Sequence, residues 1–335
     1  VNGFVLGGRS VGPWLTAFAY GTSYFSAVVF VGYAGQFGWK YGIAATWAGI
    51  GNALLGSLLA WAVLGRRTRI MSQHLDSATM PEFFGKRFGS KSLKIAASVI
   101  IFIFLIPYTA SLYNGLSRLF GMAFHIDYSL CVIVMAVLTG VYVIAGGYMA
   151  TAINDFIQGI IMIFGICAVI AAVLHSQGGF MAALEGLAQV QDPEVSQAPG
   201  VFASFFGPDP MNLLGVVLLT SLGTWGLPQM VQKFYAIKDE KAIDTGMVIS
   251  TVFAALVAGG CYFLGGFGRL FSDKVDLAAG GYDSIIPTML SGCGGLDGAL
   301  FTVAADEGPM PQTAEHLDIL SLLGLERGVV ALTRA

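Results

Sequence analysis

The sequence predicts an all-α membrane protein of about seven spanning helices, two of them interrupted at mid-depth. Three observations carry this. Of 335 residues, 56% are hydrophobic and only 11% charged, against roughly a quarter charged in soluble domains. Apolar runs close to the ~20 residues that cross a hydrocarbon core recur along the chain. Glycine, with 45 residues, is about twice as frequent as usual, as expected where bilayer helices pack through small residues or break around a site.

The runs fall at about 13–35, 44–65, 95–117, 128–146, 156–174, 211–232 and 246–268. In the first, the middle reads Ala19-Tyr20-Gly21-Thr22-Ser23-Tyr24-Phe25-Ser26. A lipid-facing helix gains nothing from hydroxyls at that depth. An unwound segment frees backbone carbonyls beside hydroxyl oxygens, the ligand set a bare sodium ion accepts. Between the second and third runs, Thr79 with Glu82 three residues on, and Pro81 in the first turn, predicts the start of a short amphipathic helix on the membrane surface. The glycine pair Gly146-Gly147 joins the fourth and fifth runs, and Asn154-Asp155 opens the fifth. There Asp155 is expected either to cap a helix start or to serve an ion path. The sixth run contains Gly226 and Pro228, which should break it, since proline withdraws a backbone donor and clashes with the preceding turn. Broken helices at corresponding places in two halves point to inverted repeats around a midplane binding site.

Charge placement sets an orientation. With the amino end inside, cytoplasmic segments hold eleven lysines and arginines (Arg9; Arg66, Arg67, Arg69, Lys86, Arg87, Lys91 and Lys94; Lys233, Lys238 and Lys241) against four outside (Lys40, Arg118, Arg269, Lys274). The loop 175–210 carries Glu185, Asp192, Glu194 and Asp209 and no lysine or arginine, which suits an external face. A multi-pass protein of the plasma (inner) membrane with a cytoplasmic amino end is therefore expected. Residue 1 is valine with no signal peptide ahead of the spans, so the chain is expected to begin within a longer protein.

Four cysteines are scattered and four histidines show no ligand spacing, so neither a disulfide frame nor a metal centre is expected. A seven-helix light sensor is disfavoured because the run 246–268 lacks a lysine for retinal. A membrane enzyme is disfavoured because no His/Asp/Glu constellation is present.

Residues 3–288 resemble the sodium:solute symporter family. The resemblance rests on Leu6-Gly7-Gly8-Arg9-Ser10-Val11-Gly12-Pro13-Trp14, on Gly146-Gly147-Tyr148-Met149-Ala150 leading to Asn154-Asp155-Phe156-Ile157-Gln158, and on Gly226-Leu227-Pro228-Gln229-Met230-Val231-Gln232-Lys233-Phe234, in that order. It implies a LeuT-like fold of two five-helix inverted repeats, here truncated, and symport of a small organic solute driven by Na+ across the lipid bilayer, with no nucleic-acid partner. By resemblance, the backbone carbonyls of Thr22 and Phe25 bind sodium, and Asp155 lies on the inner ion path. Ser26, Tyr108 and Trp225 line or gate the solute cavity. Tyr24 stands where several relatives carry an acidic or amide residue. Pro228 stands where sugar carriers tend to have a polar residue, and Thr220 and Thr224 replace aromatics expected of a proline carrier. An amino acid or small carboxylate is favoured as solute.

Residues 289–335 break the pattern, where only a short strand, a turn and a soluble helix fit. They resemble part of a translational GTPase domain, closest to the selenocysteine-specific elongation factor. No Gly-x-x-x-x-Gly-Lys-Ser/Thr phosphate loop occurs in the chain, which disfavours nucleotide binding. The expected organisation is a symporter core over 1–288 joined to a partial, α/β-like foreign segment, a chimera whose tail has no activity of its own.

Overall fold

The computed structural model describes residues 2–25, 28–124, 127–196, 198–277, 281–292, 299–304 and 328–333. After a short helix α1 (Asn2–Leu6), α2 (Pro13–Tyr24) begins with a proline at its first position, where the missing amide costs nothing. It stops at Phe25, and the chain resumes as α3 (28–41), whose first part, Val28–Tyr33, is wound as a π-helix. The positive φ of Gly42 ends α3 and starts α4 (42–74). The surface helix α5 (Met80–Phe88) follows, then α6 (Lys91–Phe124) and α7 (Tyr128–Ser176). Next come α8 (Phe180–Gln189), α9 (Pro210–Leu222), α10 (Pro228–Ala236), α11 (Glu240–Gly265) and α12 (Ile285–Gly292).

The predicted cap of α5 forms: the Thr79 hydroxyl accepts from Glu82 N–H at 3.4 Å, while Glu82 Oε2 accepts from Ala78 N–H at 3.0 Å. The return bond thus reaches one residue further back than a standard capping box. The predicted turn at Gly146-Gly147 is a kink rather than a loop. Gly147 has φ 59° and ψ −160°, so α7 is two helical arms, and its second arm begins at Tyr148. Asp155 therefore sits two turns inside that arm and caps no helix start.

Among the described residues, four helices are long and apolar enough to cross a membrane, or five when the α9–α10 pair, bent by 53°, is taken as one span. The difference from the seven expected has two causes. The first run is split at Phe25 and so contains no uninterrupted helix of spanning length. The fourth appears as a shorter apolar helix, Tyr128–Val141. Side chains such as Phe102, Phe104, Ile144 and Phe164 project outward, 68–78% exposed. In water such a girdle would aggregate; on a multi-pass protein it is the surface presented to lipid.

The core gathers around α2 and α11. α2 packs on α7 and α11, and α11 also crosses α3 and α4. Phe18, Tyr20, Tyr24 and Phe25 are buried in one aromatic assembly with Trp61, Phe234 and Phe253, and the Tyr20 hydroxyl donates to the Gly56 carbonyl at 2.9 Å. Where α3 crosses α11, Gly38 and Gly265 bring the two backbones together so closely that a methyl on either would overlap the other chain.

At the carboxyl end, α12 runs four residues past 288, with Met289 fully buried in the main core. Beyond it the described residues are two strands, β1 (Ala299–Ala304) and β2 (Gly328–Thr333), paired in parallel. The predicted soluble helix of the tail, along with His316, lies outside the described residues.

Candidate functional site

A cavity of about 740 Å³ opens where α2 breaks. Its wall takes Thr22, Ser23 and Phe25 from the end of α2, Phe30 and Val31 from α3, and Tyr108 and Thr109 from α6. Asp155 and Gln158 come from the second arm of α7, Gln229 from α10, and Val257 and Cys261 from α11.

The break itself is well defined. Phe25 leaves helical geometry at φ −99° and ψ 67°, and its N–H closes the last bond of α2, 2.8 Å to the Gly21 carbonyl. The carbonyls that follow belong to a helix end, where no intrahelical donor is supplied. Thr22, Ser23 and Phe25 all border the cavity, so two hydroxyl-bearing residues and the end of α2 stand along its wall. Such a donor set suits a hard monovalent cation, and no cluster of His, Cys, Asp and Glu able to hold a transition metal occurs among the described residues.

Tyr24 holds this end in place. Its ring stacks on Phe25 at 4.3 Å, and its hydroxyl lies 2.8 Å from the Thr220 carbonyl and 3.2 Å from Asn52 Oδ1. The Thr220 and Ser221 hydroxyls also reach Asn52 Oδ1, each at 3.1 Å. Tyr24 thus ties α2 to α4 and α9. Thr220 and Thr224 are not among the residues that line the cavity.

Asp155 faces the break from α7. Its carboxylate lies 3.6 Å from the Lys233 ammonium of α10, both side chains being largely buried, and the Thr22 hydroxyl stands beside it. That hydroxyl is also 3.0 Å from the Phe18 carbonyl and 3.4 Å from that of Ala19, so its single proton has competing acceptors. Lys233 further lies over the Tyr148 ring at 5.2 Å. The sequence places Lys233 among cytoplasmic loop cations; the structure corrects this, since it is 6% exposed and paired inside the bundle. A lysine one helical turn after Gln229, on the same face of a short helix that follows a break, was the available signal.

Of the remaining candidates, Tyr108 lines the cavity, whereas Ser26 lies outside the described residues. Trp225 is not in the wall; its ring N–H donates to the Leu55 carbonyl at 3.0 Å, which makes it a packing tie between the α9–α10 bend and α4. The sequence reading missed Gln158, Gln229, Thr109 and Cys261.

A cavity at the meeting point of two broken helices is the arrangement that secondary transporters use for a midplane binding site. The chain belongs to the sodium:solute symporter family, whose model matches residues 4–288. It is 29% identical over 281 residues to the osmoregulated proline transporter OpuE of Bacillus subtilis (strain 168), covering 83% of this chain and 55% of that protein. It is 31% identical over 245 residues to the sodium/proline symporter of Staphylococcus aureus, covering 72% and 45%. Among solved structures, a Na+-coupled sialic acid symporter in a substrate-bound outward-open state shares the fold, with a TM-score of 0.62 over 97% of this chain and 64% of that one at 14% identity. The LeuT-like architecture expected from the resemblance is therefore the one found. The chain spans about half the length of the curated relatives it matches.

Proposed function

We propose that this chain forms the first repeat and the opening of the second in a sodium-driven symporter of a small organic solute, an amino acid or small carboxylate. The observation that carries it is the convergence of the α2 break, Asp155 and the start of α10 on one cavity. The two relatives described above, both proline transporters, support the amino acid. Sodium held by the Thr22 and Phe25 carbonyls would stabilise the outward-open state and pre-form the solute space, with Asp155 on the ion's inner path. By linkage, sodium raises solute affinity and the solute raises sodium affinity by the same factor.

The test is sodium-dependent uptake of labelled proline, other amino acids and small carboxylates into vesicles. This chain would be compared with a version extended through the tenth core helix of a relative. Sodium-dependent uptake by either version supports the proposal; uptake that does not depend on sodium, or uptake by neither version, sinks it.

Orientation belongs to the same proposal. Arg9 donates to the carbonyls of Ser72, Ser77 and Tyr235, and Arg69 to those of Ile237 and Lys238, so one end of the bundle collects the basic segments. We place that end in the cytoplasm: alkaline phosphatase fused after Gly89 should be inactive and after Gly200 active. The reverse pattern would invert the topology. The foreign GTPase-like reading of residues 289–335 is kept in this proposal only beyond α12, because residues 289–292 continue that helix and Met289 is buried in the main core; one uninterrupted reading frame across the junction in the source DNA, with a stable product, would count against it.

A further inference from the structure

One polar side chain in the cavity has no partner. Gln229, the second residue of α10, borders the cavity, and both its amide atoms, Nε2 and Oε1, are buried without a hydrogen bond among the described residues. The Tyr108 hydroxyl lies beside the amide but outside hydrogen-bond geometry. Gln229 is not needed as a helix cap, because the Met230 and Val231 amides already bond to the Leu227 carbonyl at 3.0 and 3.1 Å. A buried amide with donors and acceptor all unmatched costs stability and calls for an explanation outside the fold. A ligand entering the cavity supplies one.

The chemistry of that ligand follows from what surrounds the amide. Among the described residues no lysine or arginine lines the cavity, and the one carboxylate there, Asp155, is already matched by Lys233. A solute with net negative charge would enter a low-dielectric space beside a carboxylate and find no counter-charge among the described side chains of the wall, only the proposed sodium ion. A neutral or zwitterionic solute escapes that penalty. Glutamine presents an N–H donor and a C=O acceptor side by side, and an α-amino acid presents the complement, a carboxylate that accepts and a primary or secondary ammonium that donates. Much of the remaining wall is apolar, with Phe25, Phe30, Leu112, Met162 and Val169 available to a hydrocarbon side chain or ring.

Building on the proposed symport function, we propose that Gln229 is a specificity-determining residue that reads the paired carboxylate and amine of a small zwitterionic amino acid. Selection against free carboxylate anions follows from the same arrangement.

The experiment is equilibrium binding of labelled L-proline, acetate and pyrrolidine to the full purified chain in sodium and in choline buffer. The parent would be compared with Gln229→Leu and Gln229→Glu, each checked for folding by gel filtration. Gln229→Leu should weaken proline binding about tenfold or more. Gln229→Glu should shift preference from proline toward pyrrolidine, which keeps the amine and lacks the carboxylate. A folded Gln229→Leu within about twofold of the parent, or an unchanged proline-to-pyrrolidine ratio in Gln229→Glu, overturns the assignment. If the parent binds none of the three, the symport proposal fails for this chain, and the decision on Gln229 falls to a thiol probe. Gln229→Cys, in a chain whose four native cysteines are serine, should react with a water-soluble methanethiosulfonate. An unreactive thiol overturns the role, and a reactive one upholds Gln229 as the ligand-facing group.

Discussion

The Lys233 ammonium and the Asp155 carboxylate meet at 3.6 Å inside the bundle, joining the half-helix after one break to the arm of α7 that faces the other. Neither charge has much access to solvent, so each is the condition for the other's burial. The pair links the two broken helices through the Thr22 hydroxyl at the end of α2. Anything that alters the charge or position of Asp155 is thereby felt by α10.

Removing one partner should therefore cost more than removing both. Lys233→Met leaves an uncompensated buried carboxylate and is expected to destabilise the protein by about 3–5 kcal/mol, whereas Lys233→Met with Asp155→Leu should recover much of that loss. Thermal unfolding in detergent, run as a double-mutant cycle, measures it. Additive losses would mean that the two charges do not depend on each other.

Gly147 makes the kink that aims Asp155 inward. Its φ of 59° with ψ of −160° is a region essentially closed to residues with a side chain, and a methyl there would also meet the Phe4 ring at 2.8 Å. Gly147→Ala is expected to lose about 1–3 kcal/mol. Gly140→Ala, in the same helix with nothing within 4 Å of the added methyl, should be neutral or gain up to about 1 kcal/mol. Equal melting temperatures for the two variants would remove the backbone argument.

The elements written in local chemistry were legible in the sequence. Hydroxyls and glycine around Thr22 mark one break, Gly226 and Pro228 the other, and Thr79 with Glu82 the start of α5, because each depends on residues within a turn or two. What stayed hidden depends on which helix faces which. Asp155 reads equally well as a cap until the kink at Gly147 places it two turns into an arm. Lys233 reads as a loop cation because its partner lies on another helix. Trp225 and Gln229 are near neighbours in sequence at one bend, yet only the structure shows that the tryptophan bonds to Leu55 while the glutamine borders the cavity.

Glu82 gives the surface helix α5 an acid limit. The Ala78 N–H, and after it Lys86, hold its carboxyl below the usual glutamate range against the opposing effect of burial. A depressed carboxyl contributes stability that is complete above its unfolded pKa and is lost as pH falls through the folded one. Exchange of the Ala78 amide should therefore be slow at neutral pH and accelerate, relative to the intrinsic rate, only once pH drops below the ordinary glutamate range. Glu82→Gln should abolish that pH step, and a step that survives in the variant would assign it to another group.

Arg269 fastens the opposite end of the bundle. Its Nη1 lies 2.9 Å from Asp192 Oδ2, its Nε donates to the Trp39 carbonyl at 2.5 Å, and the guanidinium sits 3.9 Å above the Phe202 ring. One side chain thus holds the end of α3 and two points of the loop between α8 and α9, and it does so while only 6% exposed. Planarity and the fixed fork of donors let a guanidinium stack and bond in three directions at once, which an ammonium cannot do. Arg269→Lys should consequently behave like a loss rather than a conservative change, costing about 1–3 kcal/mol and exposing the loop 190–207 to limited proteolysis. Asp192→Asn keeps a hydrogen-bond acceptor for Nη1 and should cost less. Equal protease resistance in Arg269→Lys and the parent would show that the loop is held by packing of Phe202 alone.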